Sequence, residues 1–579
     1  MYKLDNKKNY PGKDKQLISL VICGEAGHGI QTVEVLLTRI FKLGGLNVFA
    51  TKEYMSRVRG GSNSTQIIIS SKKVLAPLNR IDILIPLDHS ALPHLKERIS
   101  KDSIILGEKE KVFSRQEILD VPFSRVAKEI GNPIFANIVA VGIIAAIFRI
   151  KQQIPLECIR KYFSTKGEKI TQGNIAAIKR GYELAFDLIK KGSLAQLSIP
   201  VPDFSQDIQE EILLNGAEAV SLGAIFGGCN FISAYPMSPS TGVLIFLSQH
   251  AEEFNIIAEQ AEDEISAINL ALGAWYAGAR GMVTTSGGGL ALMEEGVSLA
   301  GMLEMPVVIH LAQRPGPATG LPTRTEQGDL ELALYSGHGE FPRIIYAPGG
   351  IQDLFYLTQR AFNLADKFQI PVFVLTDQYL MDSYYNTMEF KLTKMDIERY
   401  TRKTKKNYKR YQLNKNGISD RGIPGWGAGL VLVDSDEHDE HGRITEDLSL
   451  RTRMVDKRLW KLKAIKEETI SPELVGNKEY EVLIVSWGST YYIVKEALEN
   501  LKDHGVSLLH FKQVYPLPSE TEDYLKKAKK VIVVENNATS QFSKLLKLYT
   551  GIEVEHKILK YNGLPFFVDE LIGKLEKVI

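Results

Sequence analysis

Three times along this chain a strand-like run ends in a turn and gives way to helical spacing. LISLVIC (17–23) leads through GEAGHGIQ into TVEVLLTRIFKLGG. GGCNFISAYP (227–236) and EYEVLIVSWGSTYYIVKEALENL (479–501) begin the same sequence of events again. Further strand-like runs, among them LNVFAT, IDILIPL, DSIILG, PVVIHLAQRPGP and KKVIVVENN, alternate with helical stretches. Alternation of this kind predicts an α/β chain built from open parallel sheets, three of them here. The 579 residues suit roughly three to four domains. We divide them into a tail (1–16), a first α/β domain (17–198) closed by the linker SIPVPDFSQD, a second (199–390), a basic insert (391–475) and a third α/β domain (476–579). The tract KLTKMDIERYTRKTKKNYKRY inside the insert reads as a solvated arm or linker face, with a partner-binding arm as the alternative.

The formal net charge of +1 gives no global field for nucleic acid or an anionic membrane. Cys23, Cys158 and Cys229 lie far apart without a CxxC. That argues against a disulfide framework and against a cysteine-ligated cluster in this chain, and it fits a cytoplasmic location. The polar N-terminus lacks the apolar core of a signal peptide. The longest apolar run, FANIVAVGIIAAIF (135–148), is too short to span a bilayer and reads as a buried helix.

Several stretches carry polar groups to strand ends, where open α/β sheets bind ligands. In GEAGHGIQ, Gly24, Gly27 and Gly29 stand at a strand-to-helix junction, as a tight turn or a phosphate site. In KEYMSRVRGGSNSTQIIIS, Arg57 and Arg59 could grip a polyphosphate or ride on a surface hairpin. SAYPMSPSTG (233–242) packs hydroxyls between prolines. AEQAEDEISAINLALGA puts Glu259, Glu262, Asp263 and Glu264 before an apolar helix. The helix dipole alone would favour them; a glutamate at the polar–apolar boundary could instead share a proton with a bound heterocycle. AQRPGPATGLPTRTEQGDL (312–330) offers Arg314, Thr319, Thr323, Arg324 and Thr325 in a loop after a buried strand. DSDEHDEHGRITED (434–447) reads as an exposed acidic loop feeding a helix capped by Thr445, with a metal at His438 and His441 as the lesser reading. No GxSxG, P-loop or HExxH is present.

Taken together and in order, these stretches resemble the thiamine-diphosphate-dependent 2-oxoacid:ferredoxin oxidoreductases, as an alpha subunit with a gamma domain fused at its N-terminus. YPMSPST is similar to that family's YPITPS, and QRPGPATGLPTRTEQGDL to its QRxGPSTGxPTxxxQxDL. DEHDEHGRITED, HFKQVYPLP and VVENNATSQF resemble later landmarks. The resemblance implies a Rossmann-like gamma domain at 17–198, a pyrimidine-binding domain at 199–390 and a transketolase C-terminal-like domain at 476–579. It implies that Glu264, with Glu262 as the alternative, contacts the aminopyrimidine. Ser238, Arg314 and Thr323 fall at substrate-recognition positions, and Tyr235, Pro236, Gly27, Gly29 and Arg57 on the cofactor side. No metal site is expected in this chain. Coenzyme A is the expected acyl acceptor. There is no GDG with a downstream Asn, so Mg²⁺, the diphosphate domain and a [4Fe-4S] cluster are expected in a beta subunit that passes electrons to ferredoxin. The expected assembly is a dimer of alpha–beta heterodimers.

Departures from the family pattern are Met237-Ser238 for Ile-Thr, Ala26 and His28 in the gamma motif, and TSGGG for TSGPG. The expected reaction is reversible CoA-dependent oxidative decarboxylation of 2-oxoglutarate or pyruvate. The rivals are an indolepyruvate-type subunit, whose own cluster cysteines and diphosphate domain are missing here, and a non-catalytic docking subunit.

Overall fold

The computed structural model describes residues 17–25, 29–55, 62–88, 91–112, 117–191, 205–392, 396–501 and 505–579. Its contacts divide the chain into two units, Met1–Leu213 with Ser383–Glu389, and Leu214–Asp382 with Phe390–Ile579.

The first unit is built on an eight-stranded sheet. Ile118–Asp120, Ile99–Gly107, Ile81–Pro86 and Leu17–Glu25 run parallel in that order. Ser62–Ser70 then lies antiparallel to both Leu17–Glu25 and Asn47–Glu53, with which it forms a hairpin. The sheet is therefore mixed, because Ser62–Ser70 runs against both of its neighbours. Beyond the hairpin, Tyr384–Thr387 pairs antiparallel with Asn47–Glu53, a strand borrowed from nearly 340 residues away. The run FANIVAVGIIAAIF becomes the helix Ala136–Ile147, buried without interruption from Ile138 onward. It packs on the helix Glu168–Lys190 where each carries a glycine. A Cβ on Gly142 would lie 2.6 Å from the Ile178 carbonyl, and one on Gly181 2.5 Å from the Val139 carbonyl.

The second unit holds two sheets and a ribbon. The seven-stranded sheet orders Gln513–Tyr515, Ile344–Tyr346, Pro371–Asp377, Val307–Gln313, Gly281–Thr285, Phe231–Ala234 and Ile257–Gln260. All its pairs are parallel except the one made by Gln513–Tyr515. The five-stranded sheet orders Glu473–Val475, Val506–Phe511, Val482–Trp487, Lys530–Glu535 and His556–Leu559, with only the first pair antiparallel. Each sheet is fully buried along its central strands, as near-continuous apolar runs require.

The tract KLTKMDIERYTRKTKKNYKRY is mostly exposed among its described residues, as a solvated face would be, but the rest of the insert packs into the unit. The insert's strands Thr401–Thr404 and Arg421–Gly427 form the ribbon, and Leu448–Glu467 is a helix. Arg421 and Arg280 meet Asp366 at 2.7 and 3.2 Å, all three buried. Lys457 and Lys461 meet Glu304 at 2.7 and 2.6 Å, again buried. Burial pushes the Glu304 carboxyl up, but Lys457, Lys461 and Arg410 outweigh it and hold it well below the usual carboxylate range. Burial pulls the Lys461 ammonium down to about 7 against the opposing pull of Glu304. The cap of the helix Leu448–Glu467 is Asp447, which accepts from Ser449 N at 2.9 Å and Leu450 N at 3.1 Å, not Thr445. His438 is not part of an exposed loop either: it is buried, with its ring 3.8 Å from that of Tyr411.

Removing Glu304 strands two buried ammonium groups. Glu304→Ala is expected to cost about 3–5 kcal/mol, read as a lowered denaturation midpoint; a loss below about 1 kcal/mol contradicts the buried cluster.

Candidate functional site

In the parallel part of the seven-stranded sheet, strand carboxyl ends share one edge. Four of them end in polar residues. Phe231–Ala234 runs into YPMSPST, Gly281–Thr285 into the turn at Ser286, Val307–Gln313 into Arg314, and Pro371–Asp377 ends on Asp377. Behind them His310 ties three strands together: Nδ1 lies 2.7 Å from Thr284 Oγ1 and Nε2 2.9 Å from Thr376 Oγ1. Burial lowers its pKa to about 3, so the ring is neutral and one nitrogen donates while the other accepts.

The hydroxyls of SAYPMSPSTG divide their work. Ser233 Oγ donates to the Ala267 carbonyl at 2.6 Å and Ser240 Oγ to the Met237 carbonyl at 2.7 Å, so both shape the loop. Ser238 is half-buried, and its carbonyl accepts from Arg314 Nη1 at 2.7 Å. Ser238 and Arg314, expected to share a site, are therefore in contact. Tyr235 is 42% exposed and Pro236 half-buried beside it.

Glu264 is the first residue of the helix Glu264–Tyr276, capped by Asp263, whose carboxylate accepts from Ser266 N at 2.7 Å. Glu264 is 3% exposed. Burial raises its carboxyl pKa, its own backbone N–H opposes, and the neighbouring Asp263 adds to the rise. Glu262, two residues earlier and outside the helix, is exposed.

The loop after Arg314 is held at both ends. Gly320, at φ +53°, makes the turn; a Cβ there would lie 1.8 Å from the Pro315 carbonyl. Thr323 is buried inside it. Farther on, Gln327 Nε2 donates to the Trp487 carbonyl at 2.8 Å, Gln327 Oε1 accepts from Asn536 N at 2.9 Å, and Gln327 N donates to the Asn536 carbonyl at 2.7 Å. Asp377 is buried at the neighbouring strand end, accepting from Ser489 Oγ and from Leu380 N at 2.9 Å. Burial lifts its pKa to about 6, although those donors pull the other way.

Three sealed polar atoms flank the turn Ser286–Gly289: Glu264 Oε1, Ser286 Oγ and Asp329 Oδ2. None has a hydrogen-bond partner among the described residues. Buried polar atoms are normally paired, so three around one turn make it a candidate place for a ligand. Ser286 and Asp329 stand inside the quoted motifs TSGGG and QGDL, yet sequence reasoning passed over both. A serine and an aspartate in polar loops carry no signal until the fold buries them.

In the first unit, Gly29 adopts φ +70° before the helix Ile30–Leu43. It lines a cavity of about 640 Å³ with Thr32, Leu87, Lys111, Asn137 and Lys166. Gly27 and Arg57 lie outside the described residues.

Residues 222–457 match the family model for the thiamine-diphosphate-binding part of pyruvate flavodoxin/ferredoxin oxidoreductase, and residues 19–184 that for pyruvate ferredoxin/flavodoxin oxidoreductase. The chain is 31% identical to the alpha subunit of a 2-oxoacid:ferredoxin oxidoreductase from a Sulfolobus species, across 97% of each chain. It is 34% identical to the 2-oxoglutarate synthase subunit KorA of Archaeoglobus fulgidus, over 56% of this chain and 88% of that one. It superposes with a TM-score of 0.89 and 31% identity on 2-oxoglutarate:ferredoxin oxidoreductase from Magnetococcus marinus, over 97% of this chain and 99% of that one. That structure was solved with 2-oxoglutarate, coenzyme A and succinyl-CoA bound.

A methyl group at Gly289 would lie 2.1 Å from Thr285 Oγ1 and 2.7 Å from Glu264 Oε1. Gly289→Ala is expected to destabilise the fold by about 1–3 kcal/mol, measured by denaturant unfolding. An unchanged midpoint would mean that the carboxyl has room to move.

Proposed function

The chain belongs to the 2-oxoacid:ferredoxin oxidoreductase family, and from that premise we propose that it is a fused gamma–alpha subunit for CoA-dependent oxidative decarboxylation of a 2-oxoacid, reversibly yielding acyl-CoA and CO₂ with electrons passing to ferredoxin. The observation that carries this reading is the orphaned carboxyl oxygen of Glu264 beside two further unpaired polar atoms.

The residues present fit thiamine diphosphate. A sealed carboxyl with a raised pKa can hold a proton at Oε1 and share it with a ring nitrogen of a heterocycle. Exposed Glu262 offers no such environment. When bound, thiamine diphosphate supplies the carbanion stabilisation that decarboxylation of a 2-oxoacid needs. The chain's own residues do the rest. Arg314 keeps guanidinium donors beyond the one given to Ser238, enough to orient a carboxylate. The Ser238 hydroxyl and buried Thr323 border the same loops. The Magnetococcus relative, with 2-oxoglutarate bound, makes that acid the first substrate to assay and pyruvate the second.

A beta subunit completes the site in this proposal, bringing the diphosphate domain, Mg²⁺ and a [4Fe-4S] cluster. Two features support it. The sequence has no GDG-type diphosphate motif. The site is also bordered by exposed apolar side chains: Ile257 on an edge strand, Ile265 on the Glu264 helix and Leu292 on the helix Gly287–Met302, each at least half exposed. A dimer of alpha–beta heterodimers, the domain assignments made from sequence and a cytoplasmic location belong to the same proposal. No described helix is long and apolar enough to cross a membrane. The cavity behind Gly29 is our candidate for coenzyme A.

In the complex with its beta subunit, Glu264→Gln is expected to lower CoA-dependent dye reduction with 2-oxoglutarate by about 10²–10⁴-fold. Wild-type rates in the variant would refute the assignment. Titration calorimetry on the isolated chain is expected to show only weak binding of thiamine diphosphate, and tight binding would overturn the shared site.

A further inference from the structure

Thr376, His310 and Thr284, three buried side chains with no part in the reading above, form one chain of hydrogen bonds that ends on the turn carrying Ser238. They stand on three neighbouring strands. His310 is paired in register with Thr284 on one side and with Val374 on the other. Thr376, two residues beyond Val374, faces the same side of the sheet.

The polarity of the chain follows from its ends. Among the described residues the Thr376 hydroxyl has no hydrogen-bond partner except His310 Nε2, 2.9 Å away. Thr284 Oγ1 lies 2.7 Å from His310 Nδ1 and 3.4 Å from the Ser240 carbonyl, which can only accept. A proton on Nε2 would strand the Thr376 hydroxyl proton and leave the Ser240 carbonyl without Thr284 as a donor. With the proton on Nδ1 every group is matched. Thr376 Oγ1 donates to Nε2, Nδ1 donates to Thr284 Oγ1, and Thr284 Oγ1 donates to the Ser240 carbonyl. Burial lowers the imidazole to about 3, so the ring is neutral and keeps one accepting nitrogen.

Ser240 anchors the Ser238 turn. Its N–H and its hydroxyl both donate to the Met237 carbonyl, at 2.9 and 2.7 Å. Its own carbonyl accepts from Val243 N at 3.0 Å as well as from Thr284. The turn from Met237 to Ser240 is closed by these bonds, and Arg314 Nη1 grips it at the Ser238 carbonyl, 2.7 Å away. A turn that drifts therefore carries the guanidinium with it.

We propose that His310, acting through Thr284, is a positioning residue: it aims the Thr284 hydroxyl at Ser240 and so fixes the turn that presents Ser238 and Arg314 to the 2-oxoacid. The inference rests on the proposed 2-oxoacid reading and deepens it. A neutral imidazole suits the task because its rigid ring holds a donor and an acceptor on opposite sides, between two hydroxyls. No proton moves during turnover; the chain of bonds only keeps the turn in place.

The test uses the alpha–beta complex at saturating dye, with 2-oxoglutarate, or pyruvate if that is the acid turned over. Thr284→Val keeps the side chain's shape and removes its hydroxyl. Its KM for the 2-oxoacid is expected to rise about tenfold, the effect of one lost hydrogen bond, with kcat and the KM for coenzyme A within about twofold of wild type. Thr376→Val, at the far end, is expected to raise the same KM at least about threefold, and Thr284→Ser, which keeps the hydroxyl, to stay within about twofold. A Thr284→Val complex with a wild-type KM overturns the inference. So does one in which both KM values rise alike, because that marks general damage to the fold, and so does a Thr284→Ser complex as impaired as Thr284→Val. Where the valine variants fail to fold, the wild-type complex decides by nitrogen NMR of labelled histidine, with His310 identified by the signal that Thr284→Ser shifts. The ring is expected as the neutral Nδ1–H tautomer from about pH 6 to about pH 9; an Nε2–H tautomer or an imidazolium overturns the inference. A wild-type complex that turns over neither 2-oxoglutarate nor pyruvate overturns instead the parent reading, and this one with it.

Discussion

One residue, Gln327, fixes the loop on which the candidate site depends, through its side-chain amide and its backbone N–H. Its three hydrogen bonds join the end of the Arg314 loop to Trp487 and Asn536, at two strand ends of the five-stranded sheet. Each such bond contributes about 1 kcal/mol net, but leaving the buried partners unsatisfied costs more than that per group. The loop thus has one stable path. It must turn at Gly320, bury Thr323 and return Asp329 to Gln313. The loop leaves through Arg314 and comes back to Gln313 at Asp329, while the stretch between is tied to a different sheet.

The same unit uses buried charge as a fastener. Asp366 holds Arg280 and Arg421, and Glu304 holds Lys457 and Lys461. Ion pairs of this kind add little net stability over a well-packed apolar core, but breaking one is expensive. They therefore specify where the basic insert lies more than they strengthen it. At the candidate site the rule is reversed. There the buried polar atoms are left unpaired, on Glu264, Ser286 and Asp329, at a turn whose glycines leave no room for side chains.

Much of the framework was legible in order along the chain. Unbroken apolar runs between glycine turns do become buried parallel strands, and FANIVAVGIIAAIF becomes a buried helix. Ser62–Ser70 was harder, since an alternating strand does not announce whether its neighbour runs with it or against it. The basic tract 391–411 is mostly exposed as its composition suggests, but the cations after it are paired with buried carboxylates that local composition does not reveal. Asp366 and Glu304, the carboxylates in question, lie 55 and more than 150 residues away from their partners. His438 and the Asp447 cap went astray for the same reason: local composition suggested solvent, and long-range packing decided otherwise.

The sequence by itself determined which chemistry is available. It supplied hydroxyls between prolines, a carboxylate run before an apolar helix and an arginine opening a glycine-rich loop, each at the end of a strand. Local covalent order is enough for that, because strand, turn and helix form from neighbouring residues. Only the tertiary structure decided which groups are buried and which are paired. It buried Glu264 and left Glu262 in solvent, put the Ser238 carbonyl on Arg314, and set Asp329 against Gly287 with an oxygen unpaired. Burial and pairing depend on residues distant in the chain, and those two quantities set the proton affinity and the reactivity of a carboxyl group.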